Sequence, residues 1–303
     1  MTAQDVAITL LACNRPLHTS RVLQAIRDEG ITRFTIFMDA PVTREDAEAQ
    51  IQLEMLFTEI DWADTRLIKR SSNMGLAASV VSAVTEQLEK HQSIILLEDD
   101  CCPFPGFFHF MKRALQKYAS NQKIRSICGY QYPFICNGSA NISALALSRF
   151  NPWGWATWRS RWDDHTTDLS HLISQIKCNG IYARLSSDLQ DLCHEDYFVE
   201  QKADIWSINW ALIHYLTDTY AVFPSRTLIA NIGFDGTGVH SVKTDAFEVD
   251  KSYIEEKKYS VTLPEKPVLN KKINTLIERF LQRHGGKVMY KHLHHTLIHG
   301  GSD

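Results

Sequence analysis

The sequence has few cysteines, and their arrangement argues against two common kinds of cross-link. Seven cysteines occur among 303 residues. The number is odd, Cys101 and Cys102 are adjacent, and no two cysteines are spaced as C-x-x-C. This pattern disfavours a disulfide framework and a structural zinc site. We therefore expect reduced thiols, which are typical of a cytoplasmic protein.

Long apolar runs and a basic leader segment are also missing. No apolar run approaches the roughly 20 residues that a membrane-spanning helix needs. Residues 1–5 lack the basic region that opens a secretory signal peptide, and strand-forming residues follow at once. We expect a soluble protein, or one that binds peripherally at the inner face of a membrane.

An excess of basic charge is absent as well, since the formal net charge is -3. Nothing global therefore points to nucleic acid as a partner. The charge is unevenly spread, because residues 251–303 contain ten Lys or Arg against five Asp or Glu. Two interpretations stay open: a solvated helical tail, or peripheral contact with an anionic membrane. The basic residues that would make such a contact are Lys271, Lys272, Lys287 and Lys291.

Strand-like and helix-like segments alternate over the first 130 residues. Apolar patterning predicts strands at 6–12, 34–38, 65–69, 93–97 and 124–128. It predicts helices at 17–28, 43–57, 74–89 and about 107–118. Such alternation indicates an α/β fold with a largely parallel sheet that is covered by helices on both faces.

The later part of the chain follows a different pattern. Residues 143–238 are rich in aromatic residues and predict mixed structure, and residues 243–267 are polar and predict a loop. Residues 270–283 predict a helix whose apolar face carries Ile273, Leu276, Ile277 and Phe280.

Polar residues follow the predicted strands at the points where the strands end. In a parallel sheet these carboxyl ends meet at one edge, and ligands bind there. We expect a binding site at this edge, with contributions from residues 14–15, 39, 72–75 and 98–100.

Three consecutive acids, Glu98, Asp99 and Asp100, follow a run of four aliphatic residues. Their mutual repulsion would raise their pKa values unless a cation neutralised them. A hard divalent ion such as Mn²⁺ or Mg²⁺ would do so by binding carboxylate and phosphate oxygens together. The alternative interpretation is a solvated turn at the end of a strand, and the sequence leaves both open.

Five motifs in collinear order resemble one enzyme family. The resemblance spans roughly residues 6–241. Three of the motifs are Cys-Asn-Arg-Pro at 13–16, Asp39, and Leu-Glu-Asp-Asp followed by Pro and Phe residues at 97–108. The other two are Asn-Pro-Trp-Gly-Trp-Ala-Thr-Trp at 151–158 and a glycine-rich segment at 231–240 that ends in His. The chain resembles inverting GT-A glycosyltransferases, in particular N-acetylglucosaminyltransferase I and its bacterial relatives. The resemblance implies a GT-A fold, which is a Rossmann-like sheet. It gives no guidance beyond His240, where the charge distribution and the apolar spacing predict a helical basic C-terminal extension.

The resemblance also implies roles for individual residues on the donor side. Asp39 would accept hydrogen bonds from the base of a nucleotide, and Asp100 would contact the metal. Glu98 and Asp99 would bind sugar and ribose hydroxyls, and Arg15 would bind a phosphate. The complete set of residues expected to bind the nucleotide-sugar, besides Asp39, is Asn14, Arg15, Asn73, Glu98, Asp99 and His240. Asn73 lies in a segment that matches the family only loosely.

On the acceptor side, Asp204 falls where the family has its catalytic base. Many bacterial relatives have a second acid where this chain has Ser207, so Glu195 and Asp196 remain alternatives for the base. Trp155 would contact the acceptor. The implied mechanism is a single displacement, in which a carboxylate removes the proton of the acceptor hydroxyl as that oxygen attacks the anomeric carbon.

The extent of the resemblance predicts a domain at 1–242, and the remaining residues, 243–303, are predicted to form an extension. The domain would contain a nucleotide-sugar half (1–130) and an acceptor half (131–242). The implied partners are a nucleotide-sugar, with UDP as the expected nucleotide, and a saccharide or lipid-linked acceptor in bacterial surface polysaccharide synthesis. Two other functions stay open: a nucleotidyltransferase, although residues 10–15 lack its usual glycine-rich loop, and a non-catalytic binding module.

Overall fold

The computed structural model describes residues 5–135, 142–163, 165, 168–194, 206–236, 243–248 and 260–284. Within these residues the central element is a nine-stranded mixed sheet, and a second sheet contains two strands. The strands are β1 (Val6–Ala12), β2 (Arg33–Met38), β3 (Asp64–Lys69), β4 (Ser93–Glu98), β5 (Cys101–Pro103), β6 (Ile124–Cys128), β7 (Ile142–Leu147), β8 (Trp155–Trp158), β9 (Tyr220–Pro224), β10 (Ile229–Asn231) and β11 (Val261–Thr262).

Helices connect most of the strands and cover both faces of the sheet. The helices are α1 (Pro16–Asp28), α2 (Arg44–Thr58), α3 (Leu76–Lys90), α4 (Phe107–Tyr118), α5 (Arg159–Trp162), α6 (Leu169–Cys178), α7 (Ser187–His194), α8 (Trp206–Leu216) and α9 (271–284), with short 3-10 turns at Pro133–Ile135 and Tyr182–Arg184. None of the described helices is long and apolar enough to cross a membrane.

The order of strands in the large sheet is β11-β7-β9-β6-β8-β4-β1-β2-β3. Six strands run in one direction, and β7, β8 and β11 run in the other. The predicted fold class is therefore confirmed: the sheet is mostly parallel and has helices on both faces.

The strand order reverses direction between β1 and β4. The chain moves outward from β1 to β2 to β3 and then returns to place β4 on the other side of β1. Parallel crossovers are nearly always right-handed, so this reversal puts α1 and α2 on one face and α3 on the other. In sheets of this kind the ligand-binding crevice lies at such a switch point, which here is at the carboxyl ends of β1 and β4.

Buried aliphatic residues explain why β4 lies at the centre of the sheet. The first five residues of β4 are buried, whereas β3 at the edge is largely exposed. A strand that is buried on both faces can continue a hydrophobic run, while an edge strand needs polar residues. The buried run from Ser93 to Leu97 therefore places Glu98, Asp99 and Asp100 at the middle of the sheet edge.

The extension after residue 243 packs partly against the domain. β11 adds to the sheet beside β7, within a segment that the sequence predicted to be a loop. Ile277 and Leu281 of α9 are buried in the hydrophobic core. The predicted helix at 270–283 matches α9 closely, and the functional division of the chain at residues 130 and 242 stays a prediction.

Candidate active site

The crevice at the switch point brings together residues that are more than 80 positions apart. β1 and β4 are parallel neighbours, with Leu11 opposite Glu98. Both strands therefore end at the same edge, and the segments that follow them meet. Arg15 comes from the first segment, and Asp99 and Asp100 come from the second.

Arg15 forms ion pairs with two of the three acids. Its Nη2 donates to Asp99 Oδ1, and it donates to Asp100 Oδ2 at 2.9 Å. The Arg15, Asp99 and Asp100 side chains are only 17%, 8% and 14% exposed. The interpretation of this cluster as a solvated turn is therefore wrong, because water is largely excluded from the acids.

The buried charges do not balance. Two aspartates share one guanidinium, and the pKa of Glu98 is raised to about 8 by burial and by repulsion from Asp100 and Asp99, against the attraction of Arg15. Burial also raises the pKa of Asp99, although Arg15 opposes the shift. Burial alone would lower the pKa of Arg15, but the attraction of the two aspartates raises it. The crevice therefore has unmet capacity for positive charge.

The described residues can supply only part of a metal site. They contain no group of three or more His, Cys, Asp or Glu side chains arranged to hold a metal ion. Asp100 accepts from Arg15 through Oδ2 and from Cys101 Sγ at 3.4 Å through Oδ1. This donor set fits an ion such as Mg²⁺, which is typically bound by one or two carboxylates together with water and substrate phosphates.

The loop after β10 forms one wall of the crevice. β10 pairs with β5, and Ile232 N donates to the carbonyl oxygen of Asp100 at 2.8 Å. A Cβ atom added to Gly233 would collide with Asp100 Oδ2 and lie 3.0 Å from Arg15 Nη1. Asp235 of the same loop lies 3.0 Å from His18 of α1. The glycine-rich pattern at 231–240 indicated this loop, which contains Gly233, whereas no sequence pattern indicated His18.

Asp39 and Asn73 join the ends of β2 and β3. The Asp39 carboxylate accepts hydrogen bonds from Met74 N at 3.0 Å and from Ser79 Oγ at 2.9 Å. Asn73 Nδ2 donates to Ala40 O at 2.7 Å. Both predicted residues thus lie at the expected edge, where they shape the loop before α3. Ser79 was not predicted from the sequence, because a serine in the first turn of a helix carries no distinctive pattern.

Asn14 turns its amide toward α2. Its Nδ2 donates to Asp46 Oδ1 at 2.6 Å, and this hydrogen bond is the main reason that the pKa of Asp46 is lowered. Gln50 of α2 donates to the carbonyl oxygens of Cys13 and Asp39 at 3.1 and 2.8 Å. These contacts connect the segments after β1 and β2, and they depend on Asp46 and Gln50, which no sequence pattern indicated.

Trp155 lies in the core. It is 0% exposed, and its ring stacks on Trp206 with a centroid distance of 5.1 Å. The structure contradicts the acceptor contact implied for Trp155, because a ring without an exposed face cannot stack on a ligand. Trp153 is only half-buried, and its ring centroid lies 5.2 Å from that of Phe234 in the loop after β10.

Several predicted residues lie outside the residues that the structure describes. They are Glu195, Asp196, Asp204, His240, Lys287 and Lys291. Their roles stay predictions. Lys271 and Lys272 are exposed at the start of α9.

Comparisons with known proteins give weak similarities to solved structures. No family model and no curated protein matches the sequence. The mannosyltransferase PcManGT from Pyrobaculum calidifontis, solved with GDP-Man and Mn²⁺, is 13% identical, with 70% of this chain and 72% of that chain covered and a TM-score of 0.39. S. aureus TarS 1–349 is 7% identical, with 75% and 60% covered and a TM-score of 0.42.

A third similar structure belongs to another class of enzyme. The UDP-glucose pyrophosphorylase from Acinetobacter baumanii is 11% identical, with 74% of this chain and 86% of that chain covered and a TM-score of 0.38. Similarities at this level assign no activity to this chain. The specific likeness to N-acetylglucosaminyltransferase I stays a prediction.

Proposed function

We propose that this chain is a metal-dependent inverting glycosyltransferase. It would move a sugar from a nucleotide-sugar to a saccharide or lipid-linked acceptor. One observation carries the proposal: Arg15 meets Asp99 and Asp100 in a largely dry crevice at the switch point between β1 and β4. An incompletely neutralised acid cluster at this position suits a diphosphate that binds together with a divalent cation.

The crevice offers complementary groups for a nucleoside diphosphate. A bound Mn²⁺ or Mg²⁺ would act as a Lewis acid that stabilises the departing diphosphate, with Asp100 as its protein ligand. The planar fork of Arg15 suits a phosphate group. Asp39 lies at the end of β2, two strands from β4, or about 10 Å at the usual strand spacing. A nucleoside can span this distance, so that its base lies near Asp39 and its phosphates lie near Asp100.

The acid trio would also orient the donor sugar. Glu98 and Asp99 would accept hydrogen bonds from sugar and ribose hydroxyls, and burial would strengthen these bonds. The general base would be Asp204, with Glu195 or Asp196 as alternatives. This base would take the proton of the acceptor hydroxyl during attack on the anomeric carbon. His240, at the end of the glycine-rich segment, would lie beside the diphosphate.

For the acceptor we propose Trp153 in place of Trp155. Its ring is half-buried, contacts Phe234 and lies next to the loop that walls the crevice. A lipid-linked acceptor would agree with peripheral membrane contact through the basic tail, of which Lys271 and Lys272 are exposed. Such a protein would act at the cytoplasmic face of a membrane in bacterial surface polysaccharide synthesis.

A donor screen tests the proposed function. The full chain is incubated with a panel of nucleotide-sugars in Mn²⁺, in Mg²⁺ or in EDTA, and release of nucleoside diphosphate and thermal stabilisation are measured. We expect slow, metal-dependent hydrolysis of one donor class. Asp100→Asn should reduce this rate by more than about 100-fold, because even outer-shell partners of a metal typically contribute 10–100-fold. Asp64→Asn is the control, since Asp64 forms an exposed ion pair with Arg33.

The products separate the competing functions. Formation of pyrophosphate from a nucleoside triphosphate and a sugar phosphate would support a nucleotidyltransferase. Donor binding without turnover or metal dependence would support a non-catalytic module. If no donor binds or reacts with or without metal, the glycosyltransferase proposal is wrong.

A further inference from the structure

Arg15 binds the carboxylate of Asp100, which the proposed metal would need as a ligand. Its Nη2 atom binds Asp99 and Asp100 at once, and the contact to Asp100 Oδ2 is 2.9 Å long. Among the ion pairs of the described residues, those to Asp99 and Asp100 both come from Arg15. In this state of the protein the acids are therefore bound to a cation that belongs to the chain itself.

The loop after β10 packs against this ion pair. A Cβ atom at Gly233 would overlap Asp100 Oδ2 and lie 3.0 Å from Arg15 Nη1, so the backbone of this loop is in close contact with both side chains. The loop that contains Gly233 is fixed to Asp100 through the hydrogen bond from Ile232 N and to α1 through the contact between His18 and Asp235. The ion pair is therefore an enclosed part of the crevice and differs from an exposed surface pair, which would contribute little.

A guanidinium and a divalent cation cannot share this position favourably. Two positive groups within a few ångströms of each other repel strongly where water is largely excluded. A diphosphate changes the balance, because its oxygens can accept both hydrogen bonds of the guanidinium fork in place of the carboxylates. When Arg15 moves to the phosphate, Asp100 becomes free to bind the metal.

We propose that Arg15 is an exchangeable counter-ion that couples metal binding to nucleotide binding. Without nucleotide it neutralises Asp99 and Asp100 and keeps metal affinity low. With a nucleoside diphosphate present it transfers to the phosphates, so that metal and nucleotide enter together. This inference rests on the proposed function, because it assumes that a diphosphate binds in the crevice.

Direct measurement of Mn²⁺ binding without nucleotide tests the inference. The electron paramagnetic resonance signal of free Mn²⁺ gives its dissociation constant for the wild-type chain, Arg15→Gln, Arg15→Lys and the control Arg70→Gln. Arg70 matches Arg15 in exposure at 17% and pairs with Glu86 at 2.6 Å. We expect Arg15→Gln to bind Mn²⁺ at least about tenfold more tightly than wild type. Arg15→Lys should be intermediate, since a point charge replaces the fork, and Arg70→Gln should match wild type.

For nucleotide affinity we expect the opposite order of the variants. Equilibrium dialysis with UDP and GDP in Mn²⁺ should show weaker nucleotide binding to Arg15→Gln than to wild type. The inference is wrong if Arg15→Gln binds Mn²⁺ alone no more tightly than wild type does. Loss of Arg15 leaves Asp99 buried without its cation and could prevent folding. In that case the wild-type chain decides, and a Mn²⁺ affinity that is the same with and without UDP or GDP would overturn the inference.

The same data separate failure of the inference from failure of the proposed function. If wild type binds Mn²⁺ with a nucleoside diphosphate but Arg15→Gln gains no affinity for Mn²⁺ alone, the exchange is wrong and the proposed function stands. If neither nucleotide binds to any folded variant, the proposed function fails and the exchange fails with it.

Discussion

At the residue scale, Glu98 shows what it costs to hold an acid in the crevice. Burial and the neighbouring aspartates raise its pKa from the ordinary value of 4.5 to about 8. Between these two values the folded protein binds more protons than the unfolded chain does. Stability that is present below about pH 4.5 is therefore lost as the pH rises through 8.

Glu98→Gln tests this effect in the metal-free protein. The substitution removes the titrating group, so the variant should keep stability that wild type loses as the pH rises. We expect the melting temperature of Glu98→Gln to exceed that of wild type by at least about 2 °C at pH 8, with a smaller difference at pH 5. Melting curves in EDTA at several pH values measure it. A difference that stays constant from pH 5 to pH 8 would contradict the assigned environment of Glu98.

At the element scale, the two-stranded sheet of β5 and β10 positions the loop at 232–236. Ile229, Ala230 and Asn231 pair with Pro103, Cys102 and Cys101, directly after the acid trio. Asn231 Oδ1 then accepts from Gly233 N at 2.8 Å and turns the chain toward Asp100. The backbone of this loop therefore contacts Asp100 directly, and a side chain at position 233 would displace Asp100.

Gly233→Ala tests the loop, with Gly30→Ala as the matched control. The added methyl group in Gly233→Ala should displace Asp100 and Arg15 and lower the affinity for Mn²⁺ with nucleotide by about tenfold or more. Gly30 has φ +69 and open space around it, so alanine there should cost about 1 kcal/mol of stability through backbone strain alone. Dialysis and thermal melting separate the two effects. Unchanged ligand affinity in Gly233→Ala would show that the loop does not constrain the acids.

Local sequence signals predicted α9 and, except for β5, the regular elements up to β6. The predicted bounds of β1, α4 and β6 agree with the structure, because apolar periodicity and flanking turn residues act over a few positions. α3 begins at Leu76, two residues later than predicted, since Gly75 precedes it with φ 75. The sequence did not predict β5 and β10, because three-residue strands carry no clear period and their partners lie more than 120 positions apart.

At the scale of the whole molecule, the sheet explains why the predicted residues converge. The sequence indicated a parallel sheet whose carboxyl edge carries Arg15, Asp39 and the acid trio, and the structure places them at one edge. It could not show that β8 inserts antiparallel between β4 and β6, because pairing between distant strands depends on packing of the complete core. For the same reason it could not show that neighbouring rings cover Trp155 completely.

The ion pair between Arg15 and the two aspartates is likewise a property of the assembled fold. The sequence identified all three residues, but their contact depends on β1 and β4 being neighbours. The central claim is that these acids bind a divalent cation together with the diphosphate of a nucleotide.

A crystal structure with Mn²⁺ and a nucleoside diphosphate tests this claim most directly. We expect an anomalous manganese peak about 2.1 Å from a carboxylate oxygen of Asp100 and from at least one phosphate oxygen. We also expect the Arg15 guanidinium to contact the diphosphate. A bound nucleotide whose phosphates lie far from Asp100, with no manganese at that carboxylate, would contradict the account.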